Sequence, residues 1–198
     1  LIFARGFNSS AKLSNELNEG WLRPALFFIE AWHIQRMLFS PDAYGPAVAP
    51  YLSGSRGPGD LVSAGADSLF PGARFRYEAL AGLWLFFDDL DRSHSLSQDL
   101  STPEAAFWHG IMHRREPDPA NASYWFRRVG RHPVFPDIQA AAAEAGYPVK
   151  GAGWDPYAWI DYWEHARRKP DSPEHDLALT VQRIEWEILF DYCARPGK

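Results

Sequence analysis

Apolar residues recur three and four positions apart along most of this chain, while the strict alternation that marks a half-buried strand is nearly absent. The pattern predicts a helix from about Pro24 to Phe39 and a short one near Asp60 to Leu69. Arg74 to about Gln98 reads as the longest helix and the centre of the fold, because Tyr77, Leu80, Ala81, Trp84 and Leu85 make one wide apolar face. Ser101-Thr102-Pro103-Glu104 has the form of a capping box, in which a hydroxyl accepts from a free amide and a glutamate reaches back; it predicts a helix to about Glu116, stopped by Pro117. Asp118 followed by Pro119 opens the next helix, which runs to Val129 and closes on Gly130. Further helices are expected over Phe135 to Ala145, Pro156 to Arg168 and Pro173 to Tyr192, the last opened by Asp171-Ser172-Pro173-Glu174. Prolines and glycines crowd the stretch SPDAYGPAVAPYLSGSRGPG, so a long irregular loop is expected at about 40–59. The predicted fold is all-α, an irregular single-domain helical bundle over residues 1–198.

Composition adds limits to this picture. A chain of 198 residues is long enough to bury a core without disulfides or metal, and the 15% aromatic share means that rings dominate that core. A net charge of −5 argues against a nucleic-acid partner, which demands a broad basic face. The one cysteine, Cys193, excludes a disulfide framework and a multi-cysteine zinc site, and a cytoplasmic location is expected. The longest apolar candidate, Pro24 to Phe39, is broken by Glu30, His33, Gln35 and Arg36, so no membrane span is expected, and no signal peptide is visible. Walker loops, dinucleotide glycine fingerprints and the GxSxG elbow are missing from the text, which argues against the common nucleotide-dependent and serine-hydrolase chemistries.

Chemistry-bearing residues gather between Asp88 and His132, a stretch with four of the seven histidines and a run of arginines. His109 and His113 stand four apart, so one helix face carries both imidazoles, and Glu116 extends the stripe. Zinc proteases use that spacing but need glutamate directly after the first histidine, where this chain has Gly110. His94, near the end of the preceding helix, is placed to fold back towards the pair across the Ser101–Thr102 corner. Should a metal bind, His94, His109, His113 and Glu116 would offer the nitrogen and oxygen donors that suit zinc, manganese or iron rather than calcium. Asp88, Asp89 and Asp91 form an alternative acidic set, read first as caps or solvated groups. Beyond Pro117, Asn121, Tyr124 and Arg128 share a stripe and are candidate contacts for a small anionic or polar molecule, since a guanidinium fork grips carboxylate or phosphate. Arg114, Arg115, Glu116 and Arg127 are expected to be structural partners, the arginines pairing with Glu104, Glu116 and Asp118 inside the same stretch.

The segments Phe107-Trp108-His109-Gly110-Ile111-Met112-His113-Arg114-Arg115-Glu116-Pro117-Asp118 and Tyr124-Trp125-Phe126-Arg127-Arg128-Val129-Gly130, with His94-Ser95-Leu96-Ser97-Gln98 before them and His132-Pro133 after, fall within residues 94–133, about a fifth of the chain. Here the sequence resembles an uncharacterised family of bacterial and fungal proteins. That resemblance implies no reaction, cofactor or catalytic residue, but the residues carrying it are polar and so point to a site. Three functions fit the residues. A small-molecule enzyme would use His109 or His113 as general acid or base and hold an anionic or polyhydroxylated substrate through its arginines. A non-catalytic binder would use the same cluster for a carboxylate- or phosphate-bearing ligand, with Trp154, Trp159 and Trp163 as candidate walls. A buried polar network would only hold helices together.

Overall fold

The computed structural model describes residues 39–196, and the helix expected from Pro24 lies almost wholly outside them. The fold is all-α, and the only strand-like pairing among the described residues is a single bridge between Ala73 and Pro196. A 3₁₀ turn over Pro41–Tyr44 leads into α1 (Gly45–Leu52), followed by two single turns, α2 (Pro58–Leu61) and α3 (Ala66–Leu69). Then come α4 (Arg76–Phe86), α5 (Leu90–Gln98), α6 (Pro103–Arg115), α7 (Pro119–Val129), α8 (Phe135–Glu144), α9 (Pro156–Ala166) and α10 (Pro173–Ala194).

Part of the stretch expected as loop is therefore helical. Pro46 sits in the first turn of α1, where its missing N–H costs nothing, and Val48, Tyr51 and Leu52 are buried. Apolar burial outweighs the local preference of prolines and glycines, and only the segment after Leu52 stays irregular.

The long helix expected from Arg74 to Gln98 is two helices. Asp88 takes a left-handed conformation (φ 63°), its N–H donating to the Leu85 carbonyl while that of Asp89 reaches back to Trp84. This is the Schellman pattern that closes a helix, with aspartate where glycine is usual. Asp89 then caps α5, accepting from the Arg92 amide at 3.0 Å. Arg115 holds the break together by pairing with Asp88 and donating to the Leu85 carbonyl at 2.7 Å. The longest described helix is instead α10, 22 residues opened by Ser172 and Pro173.

At α6 the cap is Thr102, whose hydroxyl accepts from the Ala105 amide at 3.1 Å and donates to Glu78 at 2.6 Å. The Ser101–Glu104 box does not form, because the Glu104 carboxylate is buried and directed at His132, 3.5 Å away. Asp118 caps α7 as its spacing predicts, and Gly130 (φ 62°) ends it.

A continuous aromatic core fills the space between α4, α6 and α10. Trp186 is at its heart, stacked on Phe190 and donating its indole N–H to the Gly82 carbonyl at 2.8 Å. This core fixes α6 from one side while α5 and α7 pack against it from others, so the polar face of α6 is enclosed between them.

Candidate metal centre

Helix α6 is buried over nearly its whole length, including its polar residues His109, His113 and Arg114. A close approach of α7 makes this possible. A Cβ at Gly110 would come within 2.8 Å of the Phe126 ring, so the position after His109 is held by helix packing and has no room for the glutamate of a zinc protease.

Against that face α5 brings His94, and the three imidazoles meet. The ring centroids of His94 and His109 lie 4.5 Å apart, those of His109 and His113 4.8 Å, and those of His94 and His113 5.5 Å. One ring nitrogen from each falls within 4.8 Å of the other two. His109 and His113 are buried and His94 is half-buried, so the cluster reaches the surface on the α5 side.

One neighbour bears on the His109 tautomer. Ser97 donates its hydroxyl to the His94 carbonyl at 3.2 Å and therefore presents lone pairs to His109 Nδ1, also at 3.2 Å. With the hydroxyl hydrogen on that carbonyl, His109 Nδ1–H would donate to Ser97, the tautomer that leaves Nε2 for a metal. His113 Nδ1 lies 3.2 Å from Glu116 Oε2, within ion-pair distance but without a hydrogen bond. The Nε2 atoms of His109 and His113 face each other at 3.1 Å, a hydrogen-bond distance when either of them carries a proton. A metal ion bound by both nitrogens would take the place of that proton. Two histidine nitrogens on one zinc ion, each about 2.0–2.1 Å from it in a tetrahedral arrangement, are separated by roughly 3.3 Å, close to this spacing.

Neither buried imidazole favours a proton of its own. Burial, with His113 and His94 adding to it, pushes the His109 pKa down to about 3. Burial also lowers that of His113, against the opposing pull of Glu116 and Asp118. Neutral imidazole is the form that binds metal, and so weak a base as His109 is a poor proton acceptor near neutral pH.

The other expected residues are placed as follows. Glu116 is outside the three-histidine donor set and lies 3.2 Å from the outer nitrogen of His113. Asn121 belongs to the α7 cap, its side-chain amide donating to Asp118 at 3.2 Å. Tyr124 is exposed, edge-on to Trp125. Arg128 lies over the Trp125 ring at 5.2 Å. Arg127 has no carboxylate partner among the described residues and sits over Tyr124 at 5.8 Å, which corrects its expected ion pairing. Arg114 also differs from expectation: its partner is Glu185, from α10, and both side chains are wholly buried. Of the alternative acidic set, Asp88 and Asp89 are engaged at the α4–α5 break with Arg115 and Arg92.

Two residues beside the cluster were not singled out from sequence. Trp125 stacks on His109 with centroids 3.8 Å apart and planes 21° from parallel, closing one side of the centre. Ser97 orients His109, and its position one turn beyond His94 was the available signal. Trp154, Trp159 and Trp163 are buried around α9, where Trp159 donates to Glu185 at 3.4 Å, and none of them has a ring contact with the three histidines.

The fold and the cluster together define an all-α protein with a largely buried three-histidine constellation. No protein-family model, curated protein or solved structure matches the chain.

Proposed function

We propose that His94, His109 and His113 hold one divalent transition metal ion and that the protein is a metal-dependent enzyme acting on a small molecule with an anionic group. The observation that carries the reading is the meeting of three imidazoles, one ring nitrogen of each within 4.8 Å of the other two, with the Nε2 atoms of His109 and His113 3.1 Å apart. Imidazoles oriented through their outer N–H are the usual surroundings of a metal bound by histidine. Three protein donors leave coordination positions open, as in catalytic rather than structural zinc sites. A metal there supplies Lewis acidity and lowers the pKa of a bound water towards neutrality.

The chain's own residues have separate tasks in this reading. His109 and His113 act as neutral ligands instead of as acid or base, because burial has removed their basicity. Ser97 orients the His109 ring through its hydrogen bond to Nδ1, and Glu116 places a carboxylate beside His113. Trp125 shields His109 from water, and Arg128, over the Trp125 ring, offers a guanidinium on α7 for a carboxylate or phosphate. The net charge of −5 speaks for a small-molecule partner over nucleic acid, and the solitary buried Cys193 fits the cytoplasm. No described helix is long and apolar enough to cross a membrane.

Cobalt-substituted protein tests the enzyme reading. Phosphate or a dicarboxylate added to it should perturb the cobalt absorption bands, and Arg128→Lys should weaken that response about tenfold or more without changing cobalt affinity. Bands that ignore every anion would count against an open, substrate-facing metal.

A further inference from the structure

Helix α5 brings His94 to the other two imidazoles, yet little apolar surface holds it there. Its sequence is LDRSHSLSQ, and its two buried residues are serines, Ser93 and Ser97, while Leu90 and Leu96 are only partly buried against the core. Burial of an apolar face is what normally fixes a short helix on its neighbours, so the pose of α5 depends on polar ties. Two of them reach α6. Beyond His94, Ser97 meets His109 at 3.2 Å; before His94, the turn that starts α5 is gripped by Arg115. His94 therefore lies on a helix tied down at both ends.

The tie before His94 is built on a left-handed residue. Asp88 has φ 63°, a conformation that suits glycine and strains a residue with a Cβ, aspartate less than most. Its N–H closes α4 on the Leu85 carbonyl at 3.1 Å, a bond that glycine would make equally well. What aspartate adds is a carboxylate, and that carboxylate pairs with Arg115, on the helix of His109 and His113. Arg115 also donates to the Leu85 carbonyl at 2.7 Å, so one guanidinium with a largely buried side chain holds both the last turn of α4 and the break itself. Burial pushes its pKa down to about 10 against the pull of Asp88, which leaves it charged at neutral pH.

The lever from this break to the imidazole is short. From Leu90 to His94 the helix rises by roughly 6 Å, so a swing of about 10° at the break moves His94 by about 1 Å. Metal–ligand distances tolerate only about ±0.2 Å. A loosened break would thus take His94 out of the donor set and leave His109 and His113 in place on α6. Resting on the proposed binding of a metal by these three histidines, we infer that Asp88 and Arg115 are positioning residues of the centre. They set the angle at which α5 leaves α4, and so hold His94 over the other two rings.

Asp88→Gly separates this role from that of a helix stop, because glycine keeps the turn and removes the tie. The probe is Cu²⁺, the tightest-binding of the first-row divalent ions, titrated by calorimetry into the chelator-treated full chain, with electron paramagnetic resonance of the bound copper. Metal-free Asp88→Gly should melt within about 4 °C of wild type, since relief of the turn offsets the lost pair. It should bind copper about 10- to 100-fold more weakly, its nitrogen hyperfine structure passing from three imidazoles to two. Asp88→Asn, which tolerates the turn and still accepts from Arg115, should regain most of the affinity. In a His94→Ala background Asp88→Gly should have no further effect, because its influence passes through His94. Wild type that binds no copper would sink the metal site itself, and this role with it. Where wild type does bind copper, the positioning role alone is overturned if Asp88→Gly binds it as tightly, if that variant melts far below wild type, or if it weakens binding equally with and without His94.

Discussion

Arg114 and Glu185 are both wholly buried, and the second bond of the fork, Arg114 Nη1 to Glu185 Oε1, measures 3.3 Å. Trp159 adds an N–H to the carboxylate at 3.4 Å, and its ring lies 5.2 Å from the guanidinium carbon. Replacing Arg114 with Met preserves much of the volume but leaves the carboxylate in the core with only the indole bond. Breaking a buried pair in this way costs about 3–5 kcal/mol, a large part of the roughly 5–15 kcal/mol that keeps a domain folded. For a protein of this size that corresponds to a fall in Tm of about 6–20 °C. The double variant Arg114→Met with Glu185→Leu removes both charges and should regain most of the loss, because the pair's attraction barely exceeds its desolvation cost. Urea denaturation of the wild type, both single variants and the double variant measures the coupling directly. A loss below about 1 kcal/mol for Arg114→Met, the range of an exposed pair, would refute a dry, buried Arg114–Glu185 pair between α6, α9 and α10.

Other expectations follow from the same geometry. Gly110→Ala forces its methyl group against Phe126 and should cost about 1–3 kcal/mol in thermal or urea unfolding; an unchanged stability would show that α7 does not press on α6 there. The metal-free protein should lose stability as pH falls from about 6.5 towards 3, because the unfolded chain takes up protons that folded His109 and His113 refuse. At about 1.4 kcal/mol per pKa unit the His109 contribution alone is on the order of 5 kcal/mol; denaturation midpoints that stay flat over this range in wild type, or fall equally steeply in His109→Gln, would contradict it. Ser97→Ala frees His109 to turn and should weaken zinc affinity about 10- to 100-fold by calorimetry while the helix content by circular dichroism is unchanged; full affinity would remove Ser97 from the orienting role.

Local signals carried the helices well where a cap and a proline coincide, as at Asp118-Pro119 and Ser172-Pro173, because the capping interaction is complete within a few residues. The break at Asp88 was hidden, since aspartate in a left-handed turn has no apolar signature and the periodic face runs unbroken to Phe87. The helix over Gly45–Leu52 was concealed by its prolines, and burial of Val48, Tyr51 and Leu52 decided the matter. His109 and His113 were legible as a face through their spacing, and the fold-back of His94 followed from the corner after α5. Arg114 was misjudged because its partner lies 71 positions away, and no local charge pattern reports such a pairing. Trp125 was missed for a related reason: one indole among nine gives no sign that it will stack on an imidazole of a neighbouring helix.

The most direct test of the metal centre is a calorimetric titration of chelator-treated protein with Zn²⁺, with metal content checked by elemental analysis. The account predicts one equivalent bound, proton release small because His109 is already neutral near pH 7, and loss of the site in His109→Ala and in His113→Ala. No binding by correctly folded wild type, or binding that both variants retain, would show that the facing Nε2 atoms are not metal ligands.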